Sequence, residues 1–293
     1  MRDKALFTTR NHNVALGWLM QPLDAWRHRL WLEGFKRAHL ALMRDANVIA
    51  NIMAANADYY TKQGHPRSIY MRSLWTDCTA PFQRVEAGQA LADSIQRPIK
   101  IIGHAGNLGA TGGTYGLKCL LIDLLPRLEE VMTGLSYEVH IFGSGEVVPA
   151  LRPWLSHPRL VVRGFVQDYD EELRSSDVFL LLNNSGPYQG AHTRQIIAWA
   201  MSLCLVVHAK SQLAIPETRH MENALVGQTP EELARLIRLA VTDRKLNLSI
   251  RDGGRATYEK YFRPQLIVEA LTKEFSQLIR VASAREVECF ATS

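Results

Sequence analysis

Residues 177 to 208 read D-V-F-L-L-L-N-N-S-G-P-Y-Q-G-A-H-T-R-Q-I-I-A-W-A-M-S-L-C-L-V-V-H. An apolar run, Val178 to Leu182, stops at a polar loop containing glycine and proline. A segment of helical character follows from His192 to Met201, and a second apolar run from Cys204 to Val207. Short apolar runs bounded by turn signals suit strands buried on both faces. The unit is therefore strand–loop–helix–strand, with the polar loop at the carboxyl end of the first strand. Open parallel α/β sheets bind their ligands at that end.

The same alternation runs outward from this unit. Upstream, Ile99–Ala105 predicts a strand ending in Gly106-Asn107-Leu108-Gly109, and Gly116–Met132 a helix with leucines at helical spacing. Tyr137–Phe142 predicts a strand closed by Gly143-Ser144-Gly145, Val147–Leu155 a helix interrupted by Pro153, Leu160–Phe165 a strand and Asp170–Ser176 a short helix. Downstream, Ala224–Val226 predicts a last short strand. Thr229-Pro230-Glu231-Glu232 opens a helix with an N-cap threonine, a proline in the first turn and a glutamate at the third position. Helices follow over Ser249–Tyr261 and Ile267–Val281. Strands alternating with helices imply a mostly parallel, doubly wound α/β sheet with right-handed crossovers.

Residues 1–95 differ. Ala5–Thr8 and Ala46–Ala50 predict short strands, Asp24–Arg44 a long helix and Ala54–Lys62 a second one ending at Gly64. That is about one and a half βα units, less than an independent sheet domain needs. Gln83–Arg97 is a polar connection. The helix Asp24–Arg44 mixes basic residues with Trp26 and Trp31, which suits either aromatics packed on a core or a helix lying at an anionic membrane surface.

The opening stretch resembles the donor-sugar-binding segment of retaining glycosyltransferases with two Rossmann-like domains, the GT-B fold, family 4 or group 1. The pattern there is E-G-F-G-x-x-x-x-E-A-M-A-x-G-x-P-V-V. Here Gln189 and Gly190 stand at its start, followed by Ala191 and His192, and Ile197 to Val206 stand at its end, so the frame matches while both glutamates are replaced. Asp45 to Asn51 and Tyr60 to Gly64 likewise look like the end of that family's N-terminal domain. The resemblance covers roughly residues 20 to 275. It implies a partial N-terminal, acceptor-side α/β domain over 1–95, a nucleotide-sugar-binding Rossmann-like domain over 96–262 and a C-terminal helix and tail over 263–293. It also implies that the first half of the usual N-terminal domain is absent.

The resemblance assigns roles to particular residues. The glycine-rich loop Gly106 to Lys118 presents backbone amides and a helix N-terminus to a phosphate. In the family this loop carries an arginine and a lysine, whereas here Asn107 and Tyr115 stand near those positions, with Lys118 three residues on. A flexible turn without a ligand is the plain alternative. Gly143-Ser144-Gly145 looks like the family's turn beside the donor, and Val162 to Val166 like the segment whose backbone frames the nucleobase. Gln189 occupies the place of a glutamate near the sugar and phosphates and keeps hydrogen bonding without the charge. Ile197 occupies the place of the glutamate that accepts from the ribose hydroxyls, and cannot accept. Unpaired hydroxyls in a closed site cost about 1–3 kcal/mol each. His192, Thr193 and Arg194 open the helix, either as an anion site or with His192 or Thr193 as a cap. Glu217 falls near the donor sugar by resemblance, although a surface carboxylate is the commoner fate. His12 matches a histidine near the acceptor, and a lone surface histidine is the bland reading. Ser202 stands where the pattern has glycine, in a left-handed turn.

Composition bounds the rest. The chain has 293 residues, 47% hydrophobic and 22% charged, with net charge +5. That balance suits anionic partners such as nucleotide diphosphates. No apolar run reaches the roughly 18 residues of a membrane span, and the first residues lack a signal-peptide core. A cytoplasmic location is the default expectation, with peripheral contact at the inner face of a membrane open through the Asp24–Arg44 helix. Cys78, Cys119, Cys204 and Cys289 form no C-x-x-C pair, and Cys119 and Cys204 sit in apolar runs as buried thiols. No nucleic-acid motif, metal-ligand spacing or hydrolase triad is present, so neither metal nor cofactor is expected beyond a nucleotide-sugar substrate. The loop at Gly106 does not fit G-x-G-x-x-G, which argues against a dinucleotide oxidoreductase. The expected function is transfer of a sugar from a nucleotide diphosphate to a saccharide or lipid-linked acceptor, with retention. The alternative is an inactive homologue serving as a binding or scaffold subunit.

Overall fold

The computed structural model describes residues 22–72, 97–186, 190 and 193–291. Helix α1 (Pro22–Arg44) leads to strand β1 (Ile49–Asn51), helix α2 (Ala54–Lys62) and strand β2 (Ser68–Tyr70). β1 and β2 pair in parallel, so the unit is a single βαβ turn. β2 escaped the sequence pattern because it is three residues of mixed polarity, half-buried throughout. The strand expected at Ala5–Thr8 lies outside the described residues.

The second body holds a six-stranded parallel sheet. Its strands are β3 (Ile99–Ala105), β4 (Tyr137–Phe142), β5 (Leu160–Val162), β6 (Val178–Leu181), β7 (Leu205–His208) and β8 (Leu225–Gly227), in the order β5-β4-β3-β6-β7-β8. The chain winds outward from β3 to β5, returns to the middle, and winds the other way from β6 to β8. That is the doubly wound order expected of a nucleotide-binding sheet, and its switch point lies between β3 and β6. One face is covered by α3 (Thr111–Lys118), α4 (Leu125–Val131) and α8 (Pro230–Thr242), with Leu117, Leu120, Leu124 and Ile237 buried against Ile101 and Val139. The other carries α6 (Thr193–Ala200) and α9 (Arg244–Tyr261), where Trp199, Tyr258 and Phe262 pack with Phe179 and Val207. The short α5 (Tyr169–Arg174) and α7 (Ser211–Ala214) fill connections, and α10 (Pro264–Ala291) closes the chain.

Several boundaries shift for physical reasons. The helix expected from Gly116 begins at Thr111, and between α3 and α4 it widens into a π-turn over Cys119–Leu124. Pro126 sits at the start of α4, has no amide for an α-helical bond, and is accommodated by the wider turn. The segment with Pro153 is a 3₁₀ helix, Pro149–Ser156, instead of an α-helix. Ser202 adopts φ +53, the left-handed turn expected where the pattern has glycine. Thr229 caps α8, its hydroxyl accepting from the Glu232 amide at 3.2 Å. Cys119 and Cys204 are buried free thiols, pushed up by burial to about 11 and about 12.

Candidate functional site

The site grows from the carboxyl ends of β3 and β6. After β3 the chain turns at Gly106, whose φ is +139, and after β4 at Gly143, whose φ is +145. The two glycines touch: a Cβ on Gly143 would stand 1.6 Å from the Gly106 carbonyl oxygen. Backbone bonds then stitch the loops together. The Gly106 amide donates to Phe142 at 3.0 Å, Leu108 to Ser144 at 2.8 Å, and Gly143 to Gly164 at 2.7 Å. The loops at Gly106, Ser144 and Val162–Val166, singled out separately in the sequence, are thus one connected rim. Val166 packs on the core beneath it.

Asn107 shapes the loop from within. Its Oδ1 accepts from the Gly109 amide at 3.0 Å and the Ala110 amide at 2.9 Å, which turns the chain into α3. Gly113 lets that helix start against the loop, since a Cβ there would lie 2.2 Å from the Asn107 carbonyl oxygen. The N-terminus of α3 follows directly on this loop after the carboxyl end of β3. Lys118 does not reach it. It is exposed in the last turn of α3, about 10 Å along the axis from Thr111.

Beneath the loop lies His104, which is almost wholly buried. Among the described residues its Nε2 has no hydrogen-bond partner, while the ring bonds the Asn107 backbone. Burial, reinforced by the Arg194 guanidinium, pushes the imidazole down to about 3, so it is neutral near pH 7.

The opposite wall comes from β6, α6 and the end of β7. Arg194, in the first turn of α6, reaches across the switch point, and its Nη1 donates to the Ala105 carbonyl oxygen. Gly106 leaves room for it, a Cβ there falling 3.1 Å from Nη1. The buried Asn184 accepts from the Gly190 amide at 2.9 Å, and Lys210 Nζ donates to the Gly186 carbonyl oxygen at 2.7 Å. Ser185 Oγ donates to the Tyr115 carbonyl oxygen at 3.1 Å, tying this wall to α3. Thr193 begins α6 and is half-buried.

Two expected site residues are engaged elsewhere. Ile197 packs into the apolar cluster with Trp199 and Phe179, so it contributes core contacts and no polar one. Glu217 bonds Arg72 Nε at 2.6 Å and accepts from Tyr70 Oη at 3.2 Å. Arg72 also stacks over Tyr261, 4.9 Å from the ring centre. The carboxylate therefore fastens the β1–β2 unit to the larger sheet. Burial and the neighbouring carboxylate raise the Tyr70 phenol well above its usual value. His12, Gln189 and His192 lie outside the described residues. Sequence reasoning missed His104, Asn184, Lys210 and Arg72. An asparagine pair at a strand end was the one local signal for Asn184, while the others meet their partners only through the fold.

A doubly wound parallel sheet with fused glycine loops at its switch point defines a Rossmann-like α/β domain in outline. Residues 99–243, just under half of the chain, match the profile of a family described as glycosyl transferases group 1. Among curated proteins none matches in sequence. Solved structures share the fold. A glycosyltransferase from Rickettsia africae is 12% identical with a TM-score of 0.61, covering 84% of this chain and 67% of that one. Anabaena HepE, solved with UDP and glucose, is 15% identical with a TM-score of 0.60, covering 82% and 66%. The sucrose-phosphate synthase of Thermosynechococcus elongatus is 14% identical with a TM-score of 0.62, covering 84% and 62%. The chain thus spans about two thirds of the length of these proteins. Among the described residues no helix is long and apolar enough to cross a membrane.

Proposed function

We propose that the protein transfers a sugar from a nucleotide-diphosphate donor to a saccharide or lipid-linked acceptor, with retention at the anomeric carbon. The observation that carries this reading is the β3/β6 switch point, where fused glycine loops lead into α3 and Arg194 reaches across to the Ala105 carbonyl oxygen beside Gly106. In such a transfer the bond from the sugar to the diphosphate breaks and negative charge grows on the leaving phosphate. Backbone amides, a helix end and a fixed guanidinium stabilise that charge without reorganising. The rim at Ser144 and Val166 suits the nucleoside, and Gly190 and Gln189 suit the sugar side. Residues 96–262 would hold the donor and residues 1–95, with His12, the acceptor, leaving 263–293 as helix and tail. Because Anabaena HepE was solved with UDP, UDP-sugars are the first donors to try.

A second reading is binding without turnover. It is favoured by the loss of both carboxylates, at Gln189 and Ile197. Release of nucleoside diphosphate from UDP-, GDP- and ADP-sugars, with and without simple saccharide acceptors, separates the two. Release that falls at least tenfold in Arg194→Met supports transfer, a prediction resting on the loss of a charge-assisted contact. Binding without release supports the second reading, and neither binding nor release removes both.

A further inference from the structure

The glycine loop lacks the two cations that the resembling enzymes place there, yet two cations stand beside those positions. Arg194 lies against Gly106, next to Asn107, where the pattern has arginine. Lys210 holds the Gly186 carbonyl oxygen, and Gly186 abuts Tyr115, where the pattern has lysine. A Cβ on Gly186 would stand 2.5 Å from the Tyr115 ring. Both cations come from the opposite wall, one from α6 and one from the turn after β7. Lys210 rests on a backbone carbonyl oxygen near the carboxyl edge of the sheet, a weaker partner than a phosphate.

We infer that Lys210 and Arg194 together replace, from the far wall of the crevice, the cations missing from the glycine loop, and that Lys210 is a binding residue for the donor diphosphate. The inference rests on the donor-site reading above and adds to it the residue that completes the charge. Asn184 supports the arrangement: its Nδ2 lies 3.5 Å from the Lys210 carbonyl oxygen while its Oδ1 holds the Gly190 amide. The lysine backbone and the loop after β6 are thereby fixed to one side chain. On donor binding the ammonium would leave the Gly186 carbonyl for a phosphate oxygen, exchanging a neutral acceptor for a charged one.

Calorimetric titration of the full chain with UDP, GDP and ADP, each beside its parent nucleoside, tests this. The expected result is that one diphosphate binds and that Lys210→Met weakens it roughly tenfold or more, leaving the nucleoside unchanged. Arg194→Met should act likewise. Moving the charge back, with Tyr115→Lys in the Lys210→Met background, should recover most of the loss. Should Lys210→Met fail to fold, Lys210→Gln keeps a polar side chain there and removes the charge. Equal diphosphate affinity in wild type and Lys210 variants overturns the inference while leaving the donor site standing. So does a parallel fall for diphosphate and nucleoside, which marks a structural effect. A wild-type chain that binds none of the three overturns the donor-site reading and this inference with it.

Discussion

At the scale of single residues, the backbone records what the side chains have changed. Ser202 holds φ +53 in the turn between α6 and β7, its amide bonded to Trp199 at 3.1 Å. A non-glycine residue in that region is strained, and Ser202→Gly should raise stability by about 1 kcal/mol, read by urea unfolding. The position was legible because the frame of the family pattern fixes which residue must turn left-handed. Ile197 was legible as a position but not as an environment, since its burial depends on α9 and the sheet arriving from elsewhere in the chain. His104 carries a pH signature. Its folded-state value of about 3 lies below that of an exposed imidazole, so it contributes stability above about pH 6.5 that is progressively lost as pH falls toward 3. His104→Gln should therefore flatten the acid side of the stability profile. An unchanged slope in denaturant melts between pH 7 and 4 would count against a buried neutral imidazole.

At the scale of elements, close approach explains choices that propensity alone does not. Helix α9 carries Gly253 and Gly254 in its interior, where each costs about 1 kcal/mol relative to alanine. A Cβ on Gly253 would fall 1.9 Å from the Glu222 carbonyl oxygen, and one on Gly254 2.6 Å from the Trp199 ring. Those contacts let α9 lie against the turn at residues 219–224 and against α6, where Trp199 Nε1 donates to the Asn223 carbonyl oxygen at 2.8 Å. Gly253→Ala should accordingly destabilise by about 2 kcal/mol or more despite its better helix propensity. A gain in thermal stability would show that the turn can move aside. The strands and longer helices were legible from apolar runs and helical spacing. The π-turn at Cys119–Leu124 and the strand Ser68–Tyr70 were not, because one is a local response to Pro126 and the other exists only as a partner of β1.

At the scale of the whole molecule, polar contacts fasten the β1–β2 unit to the larger sheet. Arg67 bonds Glu274 at 2.5 Å and Gln277 at 2.9 Å on α10, and Arg72 bonds Glu217. Met53 adds an apolar contact within the cluster around Trp199 and Ile215. Arg72→Ala should loosen residues 49–72 while leaving residues 99–243 intact, seen as faster amide exchange confined to β1 and β2. Exchange unchanged there would mean that Met53 and α10 suffice. None of these partners is near its mate in sequence, which is why the sheet could be foreseen and the fastening could not. The same holds for Arg194, which meets the Ala105 carbonyl oxygen from 89 residues further along the chain.

The central claim, a working donor site at the β3/β6 switch point, is tested most directly by thermal unfolding of the purified chain against UDP-, GDP- and ADP-sugars. A ligand at 100 times its dissociation constant adds about 2.7 kcal/mol of stability. A rise in midpoint with one of these donors, lost in Arg194→Met, is the predicted result. A folded chain whose midpoint is unmoved by every donor would contradict the claim.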